Sequence, residues 1–137
     1  MTKNFDISEF EKSETAIKKK IDNTIPDEAK ENLQALCENV LQPLRDAFGK
    51  SIIVTSGYRC SELNKAVGGA KASEHLTGCA ADITAADKAD NRRLFFLIQR
   101  LNLPFNKLIW EKGDDSAPEW LHVSYKKNSN KRQLMRL

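Results

Sequence analysis

A chain of 137 residues, 40% hydrophobic and 30% charged, has the size of one domain and an ordinary globular composition, which excludes a disordered or fibrous class. No apolar run approaches the roughly 18 residues of a membrane span, and the first dozen residues lack the apolar stretch of a secretory signal. The net charge of +3 comes from the C-terminal tail, where Lys126, Lys127, Lys131, Arg132 and Arg136 face no acid.

Ser8 and Glu11 fit the S-x-x-E pattern of a capping box, which predicts a short helix from that point. Pro26-Asp27 opens the next segment. There Ala29, Leu33, Leu36, Cys37, Val40, Leu41, Leu44 and Phe48 recur at helical spacing and mark one apolar face. Pro43 predicts a kink or interruption, and Gly49 the end of the helix. These first 50 residues hold no cluster of chemical groups and read as packing.

From Ser51 the texture changes. S-I-I-V-T predicts a strand halted at Ser56-Gly57, and Ser61 to Val67 a brief helix closed by Gly68-Gly69. C-A-A-D-I-T predicts a second strand. Asn91 to Leu101 predicts a helix with Leu94, Phe95, Leu97, Ile98 and Leu101 inward. F-N-K-L-I-W and E-W-L-H-V-S-Y read as strands joined by the polar loop E-K-G-D-D-S-A-P, a length that suits antiparallel pairing. The basic tail reads as a frayed, solvated terminus, or as weak steering toward an anionic polymer. Cys37, Cys60 and Cys79 are an odd number without C-x-x-C spacing and read as reduced thiols. The expected architecture is a single α+β domain over residues 1–137. Helices occupy 1–50, a small, largely antiparallel sheet occupies 51–125 beneath them, and the tail occupies 126–137.

Only two histidines occur, and both lie near candidate partners. His75 precedes Asp82 by seven residues, about 10.5 Å along a continuous helix and too far to share an ion. Gly78 lets the chain turn, so that His75 can face back toward Asp82 on the following strand. Alternation in W-L-H-V-S-Y puts Trp120, His122 and Ser124 on one face. Two imidazoles and a carboxylate form a common catalytic zinc set with a fourth position left for water. Taken singly, each histidine reads more readily as a hydrogen-bonded, half-buried residue, and spacing alone does not bring the two together. By the same standard, Glu119 reads as an exposed strand-end carboxylate and Arg59 equally as an ion-pair partner of Glu62. Glu74 and Asp87 read as solvated.

The string S-G-Y-R-C-S-E-L-N-K-A-V-G-G-A-K-A-S-E-H-L-T-G-C-A-A-D-I, followed by E-W-L-H-V-S-Y, resembles a particular zinc peptidase family. That family contains D-alanyl-D-alanine carboxypeptidases and phage L-alanyl-D-glutamate endolysins, and it has a hedgehog-like fold. Ser73, His75, Gly78, Ala80 and Asp82 match its S-x-H-x-x-G-x-A-x-D signature. Glu119, Trp120, His122 and Ser124 match its C-terminal one, and Tyr58-Arg59 its arginine-bearing strand end. The resemblance implies Zn2+ on His75, Asp82 and His122, Glu119 as the general base and Arg59 beside the developing oxyanion. Ser73 would hold the His75 loop or touch substrate, and Trp120 would line a pocket.

The implied reaction is hydrolysis of a peptide bond in peptidoglycan stem peptides, first as an L-alanyl-D-glutamate endopeptidase of endolysin type. The alternatives are a D-alanyl-D-alanine carboxypeptidase and a non-catalytic zinc module that binds the cell wall. The partner expected is the stem peptide, with no nucleic acid and no membrane insertion, and the protein is expected to be a monomer. Such a chain stays cytoplasmic until it is released to the wall, or is phage-encoded.

Overall fold

The computed structural model describes all residues, 1–137. The helices are α1 (Ile7–Glu11), α2 (Glu14–Lys19), α3 (Asp27–Leu36), α4 (Gln42–Phe48), α5 (Ser61–Ala66) and α6 (Asn91–Arg100). The strands are β1 (Ile52–Ser56), β2 (Ala80–Ala85), β3 (Lys107–Glu111), β4 (Trp120–Ser124) and β5 (Gln133–Arg136). The α+β class and the mainly antiparallel sheet are those the sequence predicts.

The helical half departs from expectation in two places. The first capping box is built by Asp6 and Glu9 rather than Ser8 and Glu11. Asp6 accepts from the Ser8 N–H, and Glu9 reaches back to the Asp6 N–H. A carboxylate two residues upstream supplies the stronger acceptor, and Ser8 spends its hydroxyl on it. At Pro43, the chain widens into a π turn over Cys37–Leu41 instead of breaking. There the Gln42 N–H reaches back five residues to the Cys37 carbonyl. A proline ring in a regular helix strikes the carbonyl four residues earlier, and the wider turn gives it room. The apolar stripe therefore continues through α4, with Leu33, Leu36, Val40, Leu41 and Leu44 wholly buried, until Gly49 caps it at φ 75°.

Sheet order is β1-β2-β4-β3-β5, antiparallel except for the β3–β5 pair. Ala81, Ile83, Leu108, Trp110, Leu121 and Val123 join a continuous 25-residue core that also takes Leu94, Phe95 and Ile98 from α6. Leu101, expected inward, follows the last turn of α6 and is 38% exposed. The register sets Asp82 opposite His122 and His122 opposite Ile109, so these three side chains share the other face of the sheet.

The C-terminal tail is a strand, not a frayed end. β5 runs parallel to β3, Arg136 pairs with Asp115 at 2.7 Å, and Arg132 lies over the Phe105 ring. Pairing covers what would otherwise be the open edge of β3 with a short, cationic strand. All three cysteines are free thiols, and burial pushes Cys37 up to about 12. No helix is long and apolar enough to cross a membrane.

Candidate metal centre

Three elements converge on one point. β2 delivers Asp82, β4 delivers His122 directly across the ladder, and a single 3-10 turn, Glu74–Thr77, delivers His75. Ser73 starts that turn by accepting from the His75 N–H at 3.2 Å, so its hydroxyl holds the loop. Gly78 ends the turn at φ 74°, where a Cβ would lie 2.5 Å from the Ala29 carbonyl. Only glycine satisfies both conditions.

Hydrogen bonds fix the tautomer of each ring. His75 Nδ1 lies 2.7 Å from the Gly57 carbonyl, which can only accept, so this nitrogen carries the proton. His122 Nε2 lies 3.0 Å from a Glu74 carboxylate oxygen and likewise donates. The remaining nitrogens, His75 Nε2 and His122 Nδ1, sit 3.2 and 3.3 Å from Asp82 Oδ1. In the neutral rings, two nitrogen lone pairs thus confront a carboxylate oxygen, which is repulsive unless a cation or a proton lies between them.

The donor set and spacing fit zinc. The three ligand atoms lie within 4.8 Å of one another. Tetrahedral ligands at the usual zinc bond lengths stand about 3.3 Å apart, close to the two distances to Asp82. Without a metal, the site must take up a proton instead. Burial disfavours charge on His122, but hydrogen bonds to Asp82 and Glu74 outweigh it and raise its pKa to about 9. Burial pushes Asp82 up, yet its bonds with His122 and His75 win and hold it well below the usual carboxylate range.

Glu74, expected in solvent, is drawn in. Its side chain is 9% exposed, one oxygen takes the His122 proton and the other accepts from Asn106 at 2.9 Å. Burial pushes its pKa up, but bonds with His122, Asn106 and Ser124 bring it down to about 2. The signal was present in the chain: a residue adjacent to a ligand on a tight turn is carried to the same site.

The other expected residues divide. Arg59 lies at the site, with NH2 3.9 Å from Asp82 Oδ2 and NH1 donating to Asn64 at 3.0 Å. Its partners are therefore Asn64 and Asp82 rather than Glu62, and its Nε has none. Burial, opposed by Asp82, lowers its pKa. Arg59, Ser73 and Trp120 line a cleft of about 330 Å³ together with His75, Asp82 and His122.

Glu119, expected as the base, is not part of that lining. It precedes β4 by one residue and has the parity of Leu121, so its side chain leaves the metal face and pairs with Lys88. The Glu119 N–H bonds the Glu111 carbonyl at 2.9 Å and continues the ladder. Besides Glu74 and Asp82, the acid that lines the cleft is Glu111, two residues along β3 from the partner of His122. Period-two alternation in L-I-W-E, read against W-L-H, would have put it there.

A groove of about 550 Å³ adjoins the cleft, and the two share Arg59 and Asp82. It runs beside β1 past Val54, Thr55 and Ser56, with Lys12, Ser13 and Glu14 opposite.

An α+β fold with an open His-Asp-His set on one face of its sheet defines a protein with a candidate site for a single metal ion, joined by a groove. The sequence pattern of the peptidase M15 family matches residues 3–124, and the chain belongs to that family of zinc-dependent peptidases. No curated protein matches the chain.

Proposed function

We propose that this chain hydrolyses a peptide bond in peptidoglycan stem peptides, as an L-alanyl-D-glutamate endopeptidase of endolysin type, with zinc on His75, Asp82 and His122. The observation that carries the reading is the meeting of His75 Nε2, His122 Nδ1 and Asp82 Oδ1, with both rings tautomerically fixed as ligands. A zinc ion bound there supplies electrophilic help to the scissile carbonyl and acidity to a water.

The chain's own groups supply the rest. Gly57 and Glu74 fix the tautomers and aim the two remaining ring nitrogens at the metal position, as outer partners do at zinc sites. Arg59, steadied by Asn64, offers donors to the oxygen on which negative charge develops. Trp120 lines the cleft, where a flat apolar surface can take up a stem-peptide side chain. Ser73 keeps the His75 turn in register.

The groove that meets the cleft at Arg59 and Asp82 favours an endopeptidase, because chain must extend on both sides of the bond cut. Removal of a terminal D-alanine, the alternative, needs a closed end with a fixed cation for the carboxylate. Digestion of purified stem-peptide fragments, with and without a chelator, followed by mass spectrometry, names the bond. The expected products carry a new N-terminal D-glutamate and vanish with the chelator. Loss of D-alanine alone would point to the carboxypeptidase, and no metal-dependent product would remove the proposal.

A further inference from the structure

Three carboxylates line the metal cleft: Glu74, Asp82 and Glu111. Glu74 is committed to His122 and Asn106, and Asp82 to the two imidazoles and Arg59. Glu111 alone has no hydrogen-bond or ion-pair partner for its carboxylate. It is half-buried and stands on the metal face, across from Trp120 and one alternation from Ile109, which faces His122. Lys112 turns immediately after it at φ 53°, so the side chain sits at the end of the ladder, where the cleft opens.

We infer that Glu111 is the general acid–base of this site, in place of Glu119. The role rests on the peptidase reading. As the water oxygen bonds to the scissile carbon, the water's proton passes to the Glu111 carboxylate. As the C–N bond breaks, Glu111 returns that proton to the leaving amine. The products are one carboxylic acid and one amine, and Glu111 ends as it began. Two properties suit it to the task. It is free of competing partners, and burial, with the nearby charge of Asp82, raises its pKa despite opposition from His122, Lys112 and His75. A raised pKa makes a carboxylate a better proton acceptor and still lets it give the proton back. Glu119 is half-exposed, paired with Lys88 and outside the cleft.

Zinc-loaded wild type, E111Q and E119Q are compared on the stem-peptide fragment, with zinc measured by elemental analysis. E111Q is expected to keep its zinc and fold while turnover falls about 100-fold or more, with E119Q close to wild type. Wild-type turnover in E111Q, loss of its zinc, or an equal fall in E119Q overturns the assignment.

A second readout needs no turnover. Acetohydroxamic acid gives up a proton on binding zinc, and calorimetry in buffers of different ionisation enthalpy counts where that proton goes. In wild type it stays on Glu111; in E111Q, and in E111A as a smaller replacement, about one more proton per site reaches the buffer. An unchanged count overturns the role of Glu111 even if wild type cleaves no stem peptide. A changed count with no cleavage instead leaves Glu111 in place and removes the substrate proposed above.

Discussion

Asp82 Oδ1 is the atom around which the site is organised, because both imidazole lone pairs point at it. Proton and metal therefore compete for the same space. In the metal-free protein His122 has a pKa raised from 6.5 to about 9, as bonds to Asp82 and Glu74 outweigh burial. A raised histidine stabilises the fold fully below the unfolded value and loses that contribution as pH climbs through the folded one. Glu74, lowered from 4.5 to about 2, contributes above 4.5 and loses its share as pH falls through 2. The metal-free protein should accordingly melt highest between pH 4.5 and 6.5 and decline toward pH 9. Zinc binding at pH 7 should release about one proton, and fewer above pH 9. Calorimetry checks both. A flat alkaline limb, or no proton release, would show that His122 is not held between two carboxylates.

Arg59 is tested at the same scale. Its planar fork spans Asn64 and Asp82, which a lysine ammonium cannot reproduce. Arg59→Lys should keep zinc and melt near wild type while turnover falls by about 100-fold, the usual worth of one oxyanion donor at about 3 kcal/mol. A variant that melts far earlier yet turns over normally when folded would make Arg59 a structural ion-pair residue.

At the scale of elements, the site depends on how α1, the end of β1 and the 3-10 turn are pressed together. Gly57 shows the tolerance. Its carbonyl fixes the His75 tautomer, the next N–H bonds the Phe10 carbonyl at 2.8 Å, and an added Cβ would lie 2.5 Å from the Phe10 Cα. Backbone cannot yield as a side-chain tip can. Gly57→Ala should lose about 1–3 kcal/mol of stability, and bind zinc more weakly because the His75 ring loses its anchor. Thermal melts and zinc titration check this; wild-type affinity would free His75 from Gly57.

Elements were also where sequence reading succeeded unevenly. Apolar periodicity and β-branched runs disclosed α3, α6 and four of the strands, and the ligand trio followed from two short motifs. β5 escaped because Q-L-M-R is too short and too charged to show a pattern, and gains its order only by pairing with β3. Glu119 was named through the family resemblance, while the fold gives its side chain the parity of Leu121 and a pair with Lys88. Glu111 was overlooked because nothing near it in the chain marks a site, and only the pairing of β3 with β4 sets it on the face of His122.

Across the whole molecule, a five-stranded sheet turns one face to a common core and the other to the metal cleft, and the N-terminal helices wall the groove that leads there. The end of the basic tail is folded into this plan as an edge strand, with Arg136 and Lys127 paired to acids while Lys126, Lys131 and Arg132 are not. Everything proposed about catalysis depends on zinc being held by two imidazoles and one carboxylate. Zinc-edge X-ray absorption on the reconstituted protein measures that directly. The account predicts one zinc per chain, with nitrogen and oxygen neighbours at about 2.0–2.1 Å and two imidazole rings in the outer scattering. A sulfur neighbour at about 2.3 Å, from Cys60 or Cys79, or a single imidazole, would contradict it.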